Sequence, residues 1–490
     1  MGSTVNGDMW INVVWTATLL IDLVIRIVLL MVVPRNRKPT SAMAWLLAIM
    51  LIPYLGTILF LLIGFYHLPK RRRDEQKLVD RLLAEHAADV PIADPGWPRW
   101  FQRVVEQNRA LTHLPAVAGN SAVLITDYRE QLDAMTREIE KATRFVHVEF
   151  YIASLDDTTR GFFEAMENAV KRGVTVRLLT DHIASRKLPG AKHMLAELDR
   201  MGVQWAWMLP VQPLKGKYQR PDLRNHRKLL VVDGTVAFIG SQNLIDRTYN
   251  SKKNHRRGLK WVELVARVEG PTVAAIDAVF FTDWLAETGE ELISEHIDAP
   301  EVPAQPQDLL CQIVPSGPGY ETENNLRLFL SLIHGATERV IITSPYFVPD
   351  EAMLYAMTIA KQRGLDVQLF VSEIGDQAMV FHAQRSYYEE LLVAGVRIFL
   401  YPGPYILHSK FFSVDDDIAV IGSSNMDIRS FTLNCEVSMM VRGESFVADM
   451  RAVEARYREI SRELTLEDWR KEPLRRTFWD GIARLASALN

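Results

Sequence analysis

Two stretches of the chain carry the same polar residues at the same spacing. "NHRKLLVVDGTVAFIGSQN" (residues 225–243) and "LHSKFFSVDDDIAVIGSSN" (residues 407–425) lie 182 positions apart. Each contains His-x-Lys, then four residues and Asp, then Gly-Ser-x-Asn. The first set is His226, Lys228, Asp233, Gly240, Ser241 and Asn243, and the second is His408, Lys410, Asp415, Gly422, Ser423 and Asn425. A match at six positions is hard to explain by chance.

These residue types suit a substrate with anionic oxygens. Residues two apart on a strand face the same side, and lysine neutralises phosphate as a point charge. Hydroxyl and amide donors help to hold developing charge. One set therefore supplies half of a phosphodiester site. Two sets facing each other supply a nucleophilic imidazole and an imidazolium that protonates the departing alcohol. We predict one active site with half from each repeat, with lysines where a metal would otherwise act and no cofactor.

A nucleophilic histidine must be neutral and is usually held by a carboxylate. Glu263 in "WVELVARVEGP" and Glu436 in "NCEVSMM" lie in β-rich apolar runs, where an unpaired carboxylate would be costly. We expect these residues to orient the histidines, with a salt bridge to an arginine as the alternative, and the sequence leaves their pairing open. Asp233 and Asp415 fall at the turns of two hairpins, where they should hold the geometry of the motif rather than transfer protons.

Alternating strands and helices surround both motifs. "FVHVEFYI" (145–152) predicts a strand, and helical periodicity runs near 158–171, 190–201, 350–363 and 376–394. The pattern predicts an α/β fold made by internal duplication of β-α units, with a mostly parallel sheet in each half. The proline-rich seam near 298–308 separates a first domain, 118–300, from a second, 308–490.

The first seventy residues predict a two-helix transmembrane anchor, 1–70, followed by a linker, 71–117. Met9 to Val33 and Ser41 to Tyr66 are each long enough to cross a hydrocarbon core of about 30 Å. A cleaved signal peptide is disfavoured because "MGSTVNGD" has no Lys or Arg. The helix exit has one basic residue more than the inter-helix loop, which favours a cytoplasmic catalytic region.

Composition excludes several classes of protein. A net charge of −4 gives no argument for nucleic acid. The two cysteines, Cys311 and Cys435, have no metal-ligand spacing and exclude a disulfide framework. Basic residues around the first motif predict either a solvated face or a surface for anionic lipid. The C-terminal segment "PLRRTFWDGIARLASALN" predicts an amphipathic helix that either docks on the folded domain or lies in a membrane interface.

The doubled motif resembles the phospholipase D superfamily over about residues 120–445. The finer resemblance is to membrane-anchored bacterial cardiolipin synthases with two motifs. It rests on the N-terminal hairpin and on "SAMAWLLAIMLIPYLG", "VEFYI", "SPYFVPDE", "RSYYEELLVAGVRI" and "NMDIRSFTLNCEV". One departure is "WVEL", where Glu263 replaces the expected Asp and lengthens the reach of the carboxylate.

The resemblance implies two duplicated phospholipase D-like α-β-α sandwich halves forming one active site in a multi-pass protein of the bacterial plasma membrane. It implies that one phosphatidylglycerol gives its phosphatidyl group to His226 and that a second one attacks, forming cardiolipin. His408 would be the general acid and then the base. Phosphate oxygens would be bound by Lys228, Lys410, Asn243 and Asn425. Anionic phospholipids are the expected partners, and a homo-oligomer stays open.

The motifs leave other reactions open, because the first half-reaction is common to the superfamily. A lipid hydrolase would use water as the acceptor, and phosphatidylserine synthesis or another headgroup exchange would use a different alcohol. A nuclease is disfavoured because no channel with stacking aromatic residues is evident. A catalytically dead scaffold is disfavoured because both halves keep histidine and lysine.

Overall fold

The computed structural model describes residues 3–35, 39–64, 68, 70–86, 96–213, 217–292 and 303–487. The chain divides into two compact units, one of Met1–Tyr66 with Ile482–Asn490 and one of His67–Gly481. The helices of the described residues are α1 Ser3–Val32, α2 Pro39–Leu51, α3 Pro53–Ile63, α4 Lys70–His86, α5 Arg99–Thr112, α6 Tyr128–Lys141, α7 Arg160–Lys171, α8 His182–Arg186, α9 Ala191–Met201, α10 Lys252–Arg257, α11 Thr272–Thr288, α12 Asn324–Gly335, α13 Glu351–Gln362, α14 Ala378–Arg385, α15 Tyr388–Ala394, α16 Ile428–Thr432, α17 Glu444–Ile460, α18 Leu466–Arg470 and α19 Leu474–Ser487.

The strands of the same residues are β1 Ala116–Ile125, β2 Phe145–Phe150, β3 Thr175–Asp181, β4 Gln204–Met208, β5 Val211–Gln212, β6 Lys217–Tyr218, β7 Lys228–Val232, β8 Val236–Gly240, β9 Lys260–Val262, β10 Val265–Glu269, β11 Leu309–Ser316, β12 Arg339–Thr343, β13 Phe347–Val348, β14 Asp366–Ser372, β15 Arg397–Tyr401, β16 Tyr405–Leu407, β17 Phe411–Val414, β18 Ile418–Gly422, β19 Met426–Asp427, β20 Glu436–Arg442 and β21 Arg462–Leu464. Strands and helices alternate through both repeats, which gives the α/β class that the sequence predicts.

The N-terminal unit differs from the predicted pair of long helices. Helix α1 contains a 21-residue apolar stretch, Asn12–Val32, long and apolar enough to cross a membrane. The prediction of one helix over 41–66 is wrong, because the chain forms the shorter α2 and α3, which meet at Ile52 and Pro53. Proline lacks an N–H group and disfavours helical backbone at the residue before it, so a helix breaks there. Residues 36–38 of the inter-helix loop lie outside the described residues.

Both repeats of the second unit contribute to one continuous sheet. Its 15 strands run in the order β21-β15-β14-β12-β17-β18-β20-β11-β1-β10-β8-β7-β2-β3-β4. The repeats join where β1 pairs antiparallel with β11. Residues 298–302 of the predicted division lie outside the described residues, and in the sheet β1 lies between β10 and β11.

The prediction of a mostly parallel sheet is wrong. In the 15-stranded sheet, parallel pairing is confined to β2-β3-β4 and β12-β14-β15, which is four of the fourteen neighbouring pairs. The motif hairpins β7-β8 and β17-β18 and the strands that follow them are antiparallel. An apolar strand buried on both faces reads the same in either direction, so periodicity alone could not fix the direction.

Helices cover both faces of the sheet in layers. In the first repeat, α6, α7 and α9 bury apolar side chains on one face. On the other face, α11 and α17 pack over central strands of both repeats. Part of the predicted linker is folded onto this layer, because Val79 of α4 is buried in the same core and Arg72 lies 2.5 Å from Glu287 of α11. The result is a sheet between two helical layers, in which the four central strands β20, β11, β1 and β10 separate the two motif hairpins.

Candidate active site

Both histidine-lysine pairs are buried at the starts of matching hairpins. His226 and Lys228 lead into β7, and His408 and Lys410 lead into β17. The exposed fractions of the two histidines are 7% and 5%, and those of the two lysines are 2% each. A buried lysine without an anion is costly, so this arrangement favours a phosphate ligand.

The aspartates of the motifs hold the hairpin turns. Asp233 and Asp415 have φ values of 53° and 48°, the left-handed region that aspartate tolerates in turns. The Asp233 carboxylate accepts hydrogen bonds from the N–H groups of residues 143–145, and Asp415 does the same for residues 337–339. Both aspartates are thus tied to the chain that leads into β2 or β12, away from the histidines.

Backbone contacts cross between the repeats on both sides of the site. The N–H of His226 donates to the carbonyl of Cys435 at 2.8 Å, and the N–H of His408 donates to the carbonyl of Val262 at 2.8 Å. On the second side these contacts extend into parallel pairing of β16 with β9. In each case the partner is the residue just before a buried glutamate, so the pairing carries that glutamate to the opposite repeat.

Each histidine is therefore oriented by a carboxylate from the other repeat. Nδ1 of His226 lies 3.0 Å from both carboxylate oxygens of Glu436. Nδ1 of His408 lies 2.8 and 2.9 Å from those of Glu263. An Nδ1–H group that donates to a carboxylate leaves Nε2 without a proton in the neutral ring, which is the form that a nucleophile or base needs.

The serine and asparagine residues take two different places. Ser423 donates to Glu436 at 2.5 Å, and Ser241 also bonds Glu263, so the serines steady the carboxylates. Asn243 accepts from the N–H of Ile152 at 3.1 Å and donates to a tyrosine hydroxyl. Asn425 is different, because its Oδ1 is buried without a hydrogen-bond partner among the described residues. This oxygen can accept a hydrogen bond from a ligand, whereas an anionic phosphate oxygen would need the Nδ2 donor of the same amide.

The lysines give the site its positive charge. Nζ of Lys410 lies 3.2 Å from Nε2 of His408, and Nζ of Lys228 donates to the carbonyl of His226. Burial lowers the pKa of Lys228 well below its ordinary value, and Lys410 lowers it further. Burial lowers the pKa of Lys410 to about 8, against the attraction of Glu263. An anionic phosphate between the two amines would raise both pKa values again.

The two imidazoles have unequal electrostatic surroundings. Burial lowers the pKa of His226 well below 6.5, and the charges of Lys228 and Lys410 lower it further. Burial also lowers the pKa of His408, but Glu263 opposes that shift. Burial raises the pKa of Glu436 to about 7. For Glu263 burial acts in the same sense, yet the charge and hydrogen bond of His408, together with Lys410 and Ser241, outweigh it, and the pKa falls below the ordinary value. Neutral imidazole is favoured at His226, and an imidazolium is better tolerated at His408.

Three tyrosines beside the histidines were not predicted. The ring of Tyr151 lies 4.9 Å from that of His226 and 5.3 Å from Nζ of Lys228. The rings of Tyr346 and Tyr249 lie 6.2 and 6.3 Å from that of His408. Tyr151 and Tyr346 each follow the second strand of a repeat, β2 or β12, in "VEFYI" and "SPYFV", so the repeated position was a usable signal.

Some of the predicted basic surface is structural. Arg224 is buried against Asp181, and Arg227 is buried against Asp283. The basic residues of α10 are exposed and remain available to anionic lipid: Lys252, Lys253, Arg256 and Arg257. Lys215 lies outside the described residues. Within the described part of the chain, no three histidine, cysteine, aspartate or glutamate side chains are grouped to hold a metal ion.

Known proteins match both the fold and the motif region. The family described as "Cardiolipin synthase, PLD-like domain" matches residues 135–284 and 329–456, and "Phospholipase D-nuclease N-terminal" matches 19–64. Cardiolipin synthase A of Yersinia pseudotuberculosis serotype O:1b (strain IP 31758) is 32% identical over 470 residues, covering 95% of each chain. The protein of the same name from serotype IB (strain PB1/+) is 33% identical over 475 residues, again covering 95% of each chain.

A solved structure supports the fold. Phosphatidylserine synthase of Haemophilus influenzae Rd KW20 aligns with a TM-score of 0.60 at 13% identity, covering 79% of this chain and 98% of its own. At that identity the likeness concerns the architecture alone. The family matches span both motif hairpins, and the curated relatives extend over nearly the whole length. The chain belongs to the phospholipase D-like cardiolipin synthase family.

Proposed function

We propose that this phosphatidyltransferase condenses two molecules of phosphatidylglycerol into cardiolipin and glycerol. The observation that carries the proposal is the pair of buried imidazoles, each with Nδ1 held by a carboxylate of the other repeat and each accompanied by a lysine. This pairing leaves two Nε2 atoms for one phosphorus, one to attack and one to protonate the leaving group.

In the first step, Nε2 of His226 attacks the phosphorus of one phosphatidylglycerol. A nitrogen–phosphorus bond forms, the bond from phosphorus to the headgroup oxygen breaks, and the His408 imidazolium gives its proton to that oxygen. Glycerol leaves, and the phosphatidyl group stays on His226. Lys228 and Lys410 bind the non-bridging oxygens, with Asn425 beside them, and balance the charge that develops in the transition state.

In the second step, neutral His408 removes a proton from the headgroup hydroxyl of a second phosphatidylglycerol. That oxygen attacks phosphorus, the bond to His226 breaks, and cardiolipin forms. The order of roles is supported by the pKa values, since burial and two lysines disfavour charge on His226, while Glu263 favours it on His408. Both half-sites lie in one chain, so the chemistry needs no second copy.

We also propose that the chain lies in a bacterial plasma membrane and crosses it more than once, with the catalytic unit on the cytoplasmic side. Residues 1–70 would be the anchor, 71–117 the connection, and 118–300 and 308–490 the repeats. Support comes from the apolar α1 and the basic residues around it. In α19, Asp480 is buried against His382 and Arg385, whereas Leu474 and Phe478 are exposed. We assign that exposed apolar side to the membrane interface.

The test is product identity. Full-length protein is incubated with phosphatidylglycerol labelled in the headgroup and acyl chains, and lipids and released glycerol are identified by mass spectrometry. Cardiolipin and glycerol in equal amounts support the proposal, and the His226→Ala protein is the matched control. Phosphatidic acid as the main product would make the protein a hydrolase, and transfer to another alcohol in preference to phosphatidylglycerol would make it a different headgroup transferase.

A second experiment tests the anchor. A chain beginning at Leu68 keeps α4, which packs on α11, and should turn over detergent-dispersed lipid while losing most activity on vesicles. Equal activity of the truncated and full-length proteins on vesicles would rule out the anchoring role.

A further inference from the structure

Tyr249 connects two functional groups of the candidate site. Its hydroxyl oxygen accepts a hydrogen bond from Nδ2 of Asn243 at 2.8 Å and lies 3.3 Å from Oε1 of Glu263. The amide of Asn243 is fixed in this orientation because its Oδ1 accepts from the N–H of Ile152. An amide nitrogen can only donate, so the single proton of the phenol is directed to Glu263. Glu263 in turn holds Nδ1 of His408.

The backbone at Tyr249 is strained. Tyr249 and Asn250 have φ values of 58° and 52°, and a bulky L-residue rarely adopts this left-handed conformation. The N–H of Tyr249 donates to the carbonyl of Asp246 at 2.8 Å, and Nδ2 of Asn250 donates to Asp156 at 2.7 Å. Such strain persists only where surrounding contacts enforce it, and it is concentrated at functional positions. The turn places the phenol where an ordinary loop conformation would not.

Among the described residues of the second repeat, no tyrosine corresponds to Tyr249. The 182-residue offset puts Phe431 at the position that corresponds to Tyr249, and its ring packs on Phe329 at 6.2 Å. Phenylalanine has no hydroxyl group to donate. Glu436 is bonded instead by Ser423 and by Asn434 at 3.3 Å. The tyrosine is thus specific to the side of the site that carries the proposed general acid.

We propose that Tyr249 is a positioning residue for acid catalysis, whose hydroxyl fixes the Glu263 carboxylate so that His408 presents its Nε2 proton to the departing alcohol. This inference rests on the proposed function, because it assigns Tyr249 to the step that expels glycerol. A carboxylate with one hydrogen bond fewer can rotate about its side-chain bonds. The imidazole that it holds is then no longer fixed in its orientation.

The alternative is that Tyr249 only fills space. Its ring packs on that of Trp261 at 4.6 Å, and a large residue there would stabilise the loop with or without a hydroxyl. Tyr249→Phe separates the two roles, since it keeps the ring and removes the hydroxyl, which is the donor to Glu263 and the acceptor for Asn243. Where that variant does not fold, 4-fluorophenylalanine at position 249 keeps nearly the full shape of tyrosine and still cannot donate.

The experiment compares leaving groups in the full-length protein. With phosphatidylglycerol, whose glycerol needs a proton to leave, Tyr249→Phe should lower kcat about tenfold with KM unchanged, as expected for the loss of one hydrogen bond. With the nitrophenyl ester of phosphatidic acid, the burst of nitrophenol should stay within about twofold of wild type, because that leaving group barely needs an acid.

Tyr346→Phe is the matched control. Its ring lies as close to His408, but its hydroxyl donates to Asp376 at 3.0 Å and not to Glu263. In this variant the ratio of the two rates should stay at the wild-type value. The inference is overturned if Tyr249→Phe leaves the rate with phosphatidylglycerol unchanged, or if it slows both substrates equally. Wild-type product identity is measured in parallel, so formation of phosphatidic acid alone would refute phosphatidyl transfer without affecting the leaving-group comparison.

Discussion

The two repeats build their halves of the site with the same backbone devices and then differ in charge. In both, an aspartate at a left-handed turn ties the hairpin to the chain that leads into β2 or β12, and a glutamate is carried across to the opposite histidine. The repeats differ in the protonation of these two glutamates. Burial raises the pKa of Glu436 to about 7, whereas at Glu263 His408, Lys410 and Ser241 together outweigh burial and lower the pKa.

This difference shows how a duplicated site can divide a reaction between two copies. A nucleophile needs a neutral imidazole, which a weakly ionised carboxylate can orient without drawing a proton onto the ring. A general acid needs a stable imidazolium, which an ionised carboxylate provides. The two repeats share the geometry of the half-site, and small changes in hydrogen bonding give their histidines different roles.

The largest expected effect is the loss of the nucleophile. His226→Ala should abolish both turnover and covalent labelling of the protein by radiolabelled phosphatidylglycerol, because it removes the Nε2 atom that forms the bond to phosphorus and leaves His408 as the proton donor alone. His408→Ala should slow turnover about 10²- to 10⁴-fold, the usual value of a proton donor. It should still trap a phosphatidyl adduct at position 226 from a nitrophenyl ester. An adduct that maps to His408 by peptide mass spectrometry would reverse the comparison.

The carboxylates should come next. Glu263→Gln should lower kcat on the order of 10³-fold, because the imidazolium of His408 loses its counter-charge and its tautomer. Glu436→Gln should cost only about tenfold, since a neutral amide still orients a histidine that works uncharged. Both rates are measured on phosphatidylglycerol in mixed micelles, and circular dichroism serves as the folding control. Equal losses would show that the repeats are electrostatically equivalent.

Dependence on pH should sharpen the same contrast. Activity requires neutral His226 and protonated His408, so both rate profiles should be bell-shaped. In the free enzyme burial lowers the pKa of His408, so the basic limb of kcat/KM should fall below pH 6.5. A bound phosphate anion raises that pKa, and the basic limb of kcat should therefore lie at higher pH. Coincident limbs measured across pH 5 to about 9 would contradict this assignment.

The turn aspartates should show where the repeats are alike. Asp233→Ala and Asp415→Ala each remove the acceptor of three backbone N–H groups and should each destabilise the fold by about 1–3 kcal/mol. Burial would raise the pKa of Asp415, but its N–H donors bring it below 3.8. Its contribution is therefore present above that pH and is lost as the pH falls further. Thermal unfolding of both variants measures the effect, and a much larger loss in one repeat would break the symmetry.

The smallest expected effect is that of chelation. EDTA should leave turnover unchanged, because Lys228 and Lys410 supply positive charge at the phosphate. Loss of activity that one divalent ion restores would show that the lysines are insufficient.

The sequence predicted the repeated motif residues better than the strand directions and contacts that bring them together. His-x-Lys and the turn aspartates were readable because duplication marks them at fixed spacing, and the two glutamates because each lies in an apolar run downstream of its motif. The direction of the strands was not readable, because a strand buried on both faces has no directional pattern. Pro53 was visible, yet hydropathy alone gave one helix where the structure has two. The crossing of the glutamates to the other repeat depends on contacts between residues 210 and 145 positions apart, and Tyr249 has no periodic signature.

The exchange of glutamates between the repeats also determines how the activity of such a site depends on protein concentration. A chain with one motif would have no carboxylate for its own histidine and would work only with a second copy, so dilution would inactivate it. Here the two repeats are covalently joined, so each is present to the other at a high effective concentration. Activity per molecule then becomes independent of dilution in a crowded bilayer. Because each repeat has only one role in the reaction, the histidine and glutamate of each half-site were free to acquire their own charge state.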